Sequence, residues 1–172
     1  MLKILCIVVL VLALGVYFYR HQDMKLKEGD KAPGFSLQDS NGKTYTLAEY
    51  KGKSPVIVYF YPKASTPGCT KEACGIRDDW SKFSQNGIPV LGISVDSRKD
   101  IKKFVDDYKL NFPLLSDNDK IVSKEYGVLG ISGFDRRFTF IIDKNSKIAN
   151  IIEVKDIANH SNTVFEKALA LK

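Results

Sequence analysis

The sequence predicts an α/β sandwich, in which helices flank a central β-sheet. The run from Val56 to Tyr61 is unbroken, apolar and rich in β-branched residues, which is typical of a strand buried on both faces. Apolar residues then recur at steps of three and four from Ala73 to Phe83, as on one face of a helix. A second apolar run, Val90 to Val95, predicts a parallel strand reached by a right-handed crossover.

Turn and cap signals predict the other elements in chain order. Residues alternate on both sides of Asn41-Gly42, which predicts a β-hairpin within Phe35 to Leu47. Ser97, with Asp100 in the capping-box position, predicts a helix that ends near Tyr108. The remaining predicted elements are a helical turn at Ala48 to Gly52, a helix from Cys69 to about Gln85, an edge strand at Phe112 to Leu115, a short helix at Lys120 to Tyr126, an antiparallel pair at Arg137 to Ile142 and Ile148 to Val154, and a last helix at about Ser161 to Leu171.

Cys69 is placed where the first buried strand has ended and a helix begins. The first N–H groups of a helix lack intrahelical partners, and the helix dipole there favours negative charge. Such a position favours the thiolate, which is the nucleophilic form of cysteine. A lone cysteine in this place could equally be a small buried hydrophobe.

Cys74 follows Cys69 by five residues. In a continuous helix, side chains five apart point roughly 140° apart, with Cα atoms about 8–9 Å apart. A disulfide needs Cα atoms closer than about 7 Å. The two cysteines are therefore either unrelated thiols or a redox pair that can join only when the start of the helix unwinds.

The residues around Cys69 resemble the active-site signature of peroxiredoxins. The signature is Pro62-x-x-x-Thr66-x-x-Cys69, and the continuation Cys69-Thr-x-Glu-Ala-Cys74-Gly-x-Arg-Asp is similar to the Q type, also called bacterioferritin comigratory protein. The resemblance covers about Met24 to Lys172. It implies a thioredoxin-like sandwich with a central mixed β-sheet, and reduction of hydrogen peroxide or organic hydroperoxides by a cysteine thiolate.

The resemblance also implies roles for individual residues. Cys69 is the expected peroxidatic cysteine and Cys74 the resolving cysteine. Thr66 can offer its hydroxyl to the thiolate or the peroxide, and Pro62 would shield the site from water. Arg137 matches the arginine that reaches the site from a facing strand, where its charge favours the thiolate and stabilises the breaking O–O bond.

Two details of these assignments depend on register and on local context. Arg136 is adjacent to Arg137, and strand alternation favours Arg137, which shares a face with Thr139 and Ile141. Asp96, at the end of the second apolar run, is expected to be a helix cap and not an acid catalyst.

By resemblance, the sulfenic acid formed on Cys69 becomes an intramolecular disulfide with Cys74. Thioredoxin or an equivalent dithiol donor would then restore both thiols. No metal or organic cofactor is implied. Because the disulfide forms within one chain, a monomer is expected.

Composition argues against a nucleic-acid-binding protein. The 172 residues carry a net charge of only +6, and lysines are interleaved with acids, as expected of solvated helix faces. The histidines, His21 and His160, have no partners at ligand spacing, so no metal site is predicted.

The amino-terminal segment differs from the rest of the chain. Residues Ile4 to Tyr19 carry no charge, and Arg20 ends the run. The pattern predicts an uncleaved membrane anchor at residues 1–20, with a cleavable signal as the rival, and a peroxiredoxin domain at residues 21–172. The charged-then-apolar start favours a periplasmic or other extracytoplasmic domain, although counting Lys and Arg alone favours the cytoplasm.

Two other functions are consistent with parts of the sequence. A membrane-tethered thiol-disulfide oxidoreductase shares the fold, but such proteins usually carry Cys-x-x-Cys at the helix start. A redox-responsive binding module would use the same cysteines to regulate a partner. Peroxide turnover with a supplied reductant separates a peroxidase from both.

Overall fold

A seven-stranded mixed sheet forms the centre of the fold in the computed structural model, which describes residues 24–172. The strands are β1 (Ser36–Asp39), β2 (Thr44–Thr46), β3 (Val56–Phe60), β4 (Val90–Ser94), β5 (Leu114–Ser116), β6 (Phe138–Ile142) and β7 (Ile148–Glu153). Their order in the sheet is β2-β1-β5-β4-β3-β6-β7. β3, β4 and β5 are parallel, and antiparallel strands flank them on both sides.

The described region also contains five α-helices and one 3-10 turn. The helices are α1 (Pro67–Asp78), α2 (Trp80–Gln85), α3 (Arg98–Tyr108), α4 (Ile121–Glu125) and α5 (His160–Leu169), and the 3-10 turn is Leu47–Tyr50. α1 and α2 connect β3 to the parallel strand β4, as the sequence predicts. The thioredoxin-like arrangement of a mixed sheet between helices is confirmed.

Alternation along β3 divides the apolar core into two layers. Ile57 and Tyr59 face the layer that contains α1, α2, α3 and α5. Val58 and Phe60 face the opposite layer, which contains α4 and the N-terminal hairpin. Every residue of β3 is buried, which confirms the prediction of a strand covered on both faces.

The predicted edge strand and the predicted long helix both differ from the structure. β5 is an interior strand, because the hairpin strand β1 pairs with it in addition to β4. The helix from Cys69 is two helices, since α1 ends at Asp78 and α2 begins at Trp80. The apolar period continues across the break, with Ile76 and Phe83 both fully buried, so periodicity alone could not reveal it.

The predicted anchor or signal segment, residues 1–20, lies outside the described residues. From residue 24 to the carboxyl terminus, no helix combines the length and the apolar character needed to cross a membrane.

Candidate active site

Cys69 is the third residue of α1, which follows the carboxyl end of β3 after a six-residue loop. The first backbone hydrogen bond of the helix runs from the N–H of Thr70 to the carbonyl of Thr66, at 2.8 Å. The N–H of Cys69 therefore belongs to the unpaired first turn, where the helix dipole favours an anion. The side chain is only 2% exposed, so a thiolate here would be sheltered from water.

Arg137 lies against Cys69, with its Nη2 3.2 Å from the sulfur. The sheet brings them together, because β6 pairs antiparallel with β3 in the register Phe60 to Phe138, and Arg137 immediately precedes β6. Burial alone lowers the pKa of Arg137, but the neighbouring Glu72 carboxylate and Cys69 sulfur raise it above its usual value. Arg137 is therefore a permanent cation beside the sulfur.

Arg136 points elsewhere. It donates to the carbonyl of Gly127, and its guanidinium carbon is 5.1 Å from the ring centre of Phe138. Of the two adjacent arginines, the structure places Arg137 at the cysteine.

The loop between β3 and α1 is held by a buried aspartate. Asp96 accepts a hydrogen bond from the N–H of Ala64 at 2.8 Å and another from the hydroxyl of Ser94 at 2.9 Å. The expectation that Asp96 caps a helix is wrong, since Ser97 caps α3 by accepting from the N–H of Asp100. Ser65 in the same loop has φ +61°, a left-handed conformation that is rare for residues other than glycine.

Thr66 and Pro62 occupy this loop beside α1. Thr66 is the N-cap residue of α1, and its hydroxyl donates to the carbonyl of Lys63 at 2.9 Å. Its oxygen thus keeps lone pairs that can accept a hydrogen bond. Pro62 follows β3 after one residue and is half-buried.

Cys74 is partly exposed and lies in the same unbroken helix as Cys69. The five-residue spacing within α1 therefore keeps the two Cα atoms about 8–9 Å apart and their side chains on different faces. Both thiols are free in this structure.

Sequence reasoning missed two side chains at the site, Glu72 and His160. Glu72 is buried and forms an ion pair with Nη1 of Arg137. Its Oε1 is 3.1 Å from Nδ1 of His160, which is also buried. Glu72 could have been found from its spacing, because a residue three after Cys69 shares its face of the helix. His160 is on a different helix, so no spacing from Cys69 could have indicated it.

Within residues 24–172, no three His, Cys, Asp or Glu side chains converge in a way that could hold a metal ion.

The family model described as AhpC/TSA family matches residues 28–151, well over half of the chain. The chain belongs to the AhpC/TSA family. It is 42% identical over 146 residues to peroxiredoxin Bcp of Escherichia coli (strain K12). The matched region covers 81% of this chain and 93% of that protein. It is 44% identical over 129 residues to the chloroplastic peroxiredoxin Q of Oryza sativa subsp. japonica. The matched region covers 74% of this chain and 59% of that protein.

A solved structure shares both the fold and the family. It is the Xanthomonas campestris bacterioferritin comigratory protein, described in connection with alkyl peroxide reduction, with a TM-score of 0.73 and 29% identity over 79% of this chain and 90% of that one. This AhpC/TSA family member is a thiol-dependent peroxidase. The resemblance seen in the motif is thereby confirmed, and the two rival functions are not favoured.

The predicted membrane-anchored, extracytoplasmic location is wrong. The peroxiredoxin Q of Oryza sativa subsp. japonica, to which the chain is similar, is chloroplastic.

Proposed function

We propose that Cys69 is the peroxidatic cysteine of this thiol peroxidase and that Cys74 is its resolving cysteine. The observation that carries the proposal is the contact between the Cys69 sulfur and the Arg137 guanidinium at the first turn of α1. A helix start and a fixed cation both favour a nucleophilic thiolate. Cys74 is the eighth residue of α1, beyond the first helical turn, and is partly exposed.

In the first step, the Cys69 thiolate attacks one oxygen of the peroxide and breaks the O–O bond. The sulfur becomes a sulfenic acid, and the other oxygen leaves as water or an alcohol after it gains a proton. Arg137 stabilises the negative charge that develops on the leaving oxygen. The Thr66 oxygen accepts a hydrogen bond from the peroxide O–H, and Pro62 limits access of water.

In the second step, the thiol of Cys74 attacks the sulfur of the Cys69 sulfenic acid. The S–O bond breaks, an S–S bond forms, and the hydroxyl group leaves as water with the proton of the thiol. Because α1 holds the two residues too far apart for this bond, the segment between them must first unwind.

A dithiol donor of the thioredoxin type then reduces the disulfide and returns both thiols. The substrates we propose are hydrogen peroxide and organic hydroperoxides. The alkyl peroxide reduction described for the Xanthomonas campestris relative supports the second class. All steps before recycling take place in one chain, so we expect a monomer to suffice.

The assignment is tested by intact mass spectrometry after one equivalent of hydrogen peroxide. We expect the wild-type protein to lose two hydrogen atoms, Cys74→Ser to gain one oxygen, and Cys69→Ser to keep its mass and to lack turnover. Normal steady-state turnover by Cys69→Ser would show that another group reduces the peroxide.

A further inference from the structure

The polar contacts at the active site extend beyond Arg137 to His160, the first residue of α5. Its Nε2 is 2.8 Å from the hydroxyl of Thr139 in β6, and its Nδ1 is 3.1 Å from Oε1 of Glu72. A carboxylate can only accept hydrogen bonds, so Nδ1 must carry the hydrogen that faces it. The contact is too oblique for a well-aligned hydrogen bond, but neither atom has a hydrogen-bond partner elsewhere in residues 24–172.

Glu72 and His160 are buried, so the loss of either contact would cost more free energy than it would in water. The side chains of Glu72 and His160 are 0% and 1% exposed. A carboxylate removed from water is costly unless donors surround it. Arg137 supplies the donor for one oxygen of Glu72, and Nδ1 of His160 faces the other oxygen at 3.1 Å.

Glu72 lies in the chain between the two cysteines, within the segment that must unwind for them to bond. His160 and Arg137 belong to α5 and to the start of β6, which lie outside that segment. Unwinding therefore has to separate Glu72 from both partners. The strength of these two contacts is part of the free-energy cost of bringing Cys74 to Cys69.

We propose that His160 is a positioning residue which, through Glu72, sets how readily the segment from Cys69 to Cys74 unwinds. The role rests on the proposed function of the two cysteines. Once Cys69 is a sulfenic acid, it either forms the disulfide with Cys74 and releases water, or a second peroxide transfers an oxygen to it, which gives the sulfinic acid and releases water or an alcohol. A firmly held segment favours the sulfinic acid, and a loosened segment favours the disulfide.

The test is the product ratio of His160→Leu in the full-length chain. Leucine removes both ring nitrogens and keeps an apolar side chain of similar size. The reduced protein is mixed with increasing concentrations of hydrogen peroxide, and the reaction is stopped with acid. The amounts of sulfinic acid and disulfide are then measured by intact mass spectrometry. At equal peroxide we expect the ratio of sulfinic acid to disulfide to fall about tenfold, the order expected when a buried polar group loses its partner.

Three further measurements separate this role from general destabilisation. Val164→Ala, a core substitution on the same helix with no polar contact to Glu72, should lower overall stability and leave the product ratio unchanged. His160→Gln, whose amide can still donate, should return the ratio part of the way towards wild type. Amide exchange in the reduced His160→Leu protein should be faster in α1 than in wild type.

If His160→Leu does not fold, Glu72→Gln tests the same contacts and should also lower the ratio, because it removes the charge that both partners hold. An unchanged or increased ratio in a folded variant, or an equal effect of Val164→Ala, would overturn the role of His160 alone. A wild-type protein that forms no disulfide would instead overturn the cysteine assignment and the role that depends on it.

Discussion

The guanidinium of Arg137 bridges two side chains of one helix turn, with Nη2 3.2 Å from the sulfur of Cys69 and Nη1 bonded to the carboxylate of Glu72. The contact between Arg137 and Cys69 joins residues 68 positions apart in the chain. The planar fork of arginine suits this arrangement, because it can hold two acceptors at fixed directions. The first two predictions below concern this geometry.

Replacing Arg137 by Met should slow the oxidation of Cys69 by hydrogen peroxide about 10²–10³-fold, the size of effect seen when one charge-stabilising donor is removed from an active site. The measurement is the second-order rate constant from stopped-flow fluorescence or competition. Arg136→Met is the matched control, since the adjacent arginine contacts Gly127 and Phe138 and should leave the rate within about twofold. Equal losses in both variants would mean that the contact to the sulfur is not the cause.

Gly68→Ala should disturb the contact between Arg137 and Cys69 by crowding the guanidinium. A Cβ at Gly68 would lie 3.3 Å from Nη2 of Arg137 and 3.5 Å from Cδ1 of Ile157, so the guanidinium must shift by a few tenths of an ångström. We expect the rate of Cys69 oxidation to fall severalfold, because catalysis depends on sub-ångström placement.

Gly75→Ala on the same helix is the control, because nothing lies within 4 Å of a Cβ there. It should raise the free energy of unfolding by about 0.5–1 kcal/mol, as expected when alanine replaces a glycine inside a helix. It should leave the oxidation rate unchanged. A rate loss in Gly75→Ala as large as in Gly68→Ala would contradict the crowding argument.

Disulfide formation should melt the start of α1. Cys69 and Cys74 share one continuous helix, in which their Cα atoms are too far apart to bond. We expect amide exchange across residues 66–80 to be faster in the oxidised form than in the reduced form, with the disulfide verified by mass. Equal protection in the two forms would show that the bond forms without unwinding.

Asp135 should make the stability of the protein fall as the pH rises. It is 3% exposed, and neither of its carboxylate oxygens has a hydrogen-bond partner among the described residues. Burial, with added repulsion from Asp117 and Asp96, raises the pKa of Asp135 to about 7. Between pH 4 and pH 7 the folded protein therefore keeps a proton that the unfolded chain has released, so stability decreases over this window and levels off above it.

Asp135→Asn removes that proton linkage. The variant should be more stable than wild type at pH 8 by up to about 3–4 kcal/mol, and the difference should shrink towards zero at pH 4. Urea denaturation at several pH values measures it. The exposed Asp119→Asn is the control and should change stability little at either pH. A variant no more stable than wild type at pH 8 would show that other groups in the folded protein stabilise the charged carboxylate of Asp135.

Local patterns in the sequence were sufficient for the central strand, for a helix that begins within two residues of Cys69, and for the hairpin around Asn41-Gly42. These elements depend on neighbouring residues, because alternation, helical periodicity and turn chemistry act over a few positions. The spacing of Cys69 and Cys74 is likewise a property of one helix. The motif around them was specific enough to identify the family.

Other features depended on contacts between distant parts of the chain. β5 is interior because the hairpin from the start of the domain pairs with it. Glu72 meets Arg137 from 65 residues away, and His160 reaches the same carboxylate from another helix. Burial in the folded chain raises the pKa of Asp135.

The sequence by itself therefore determined the fold class and the family, and it predicted the reactive cysteine, since each depends on residues close together in the chain. The tertiary structure alone decided which charged groups surround that cysteine and what holds its helix in place. The physical reason is that the energy of a buried charge depends on its desolvation and on the donors that face it, and both are set only when remote segments pack together.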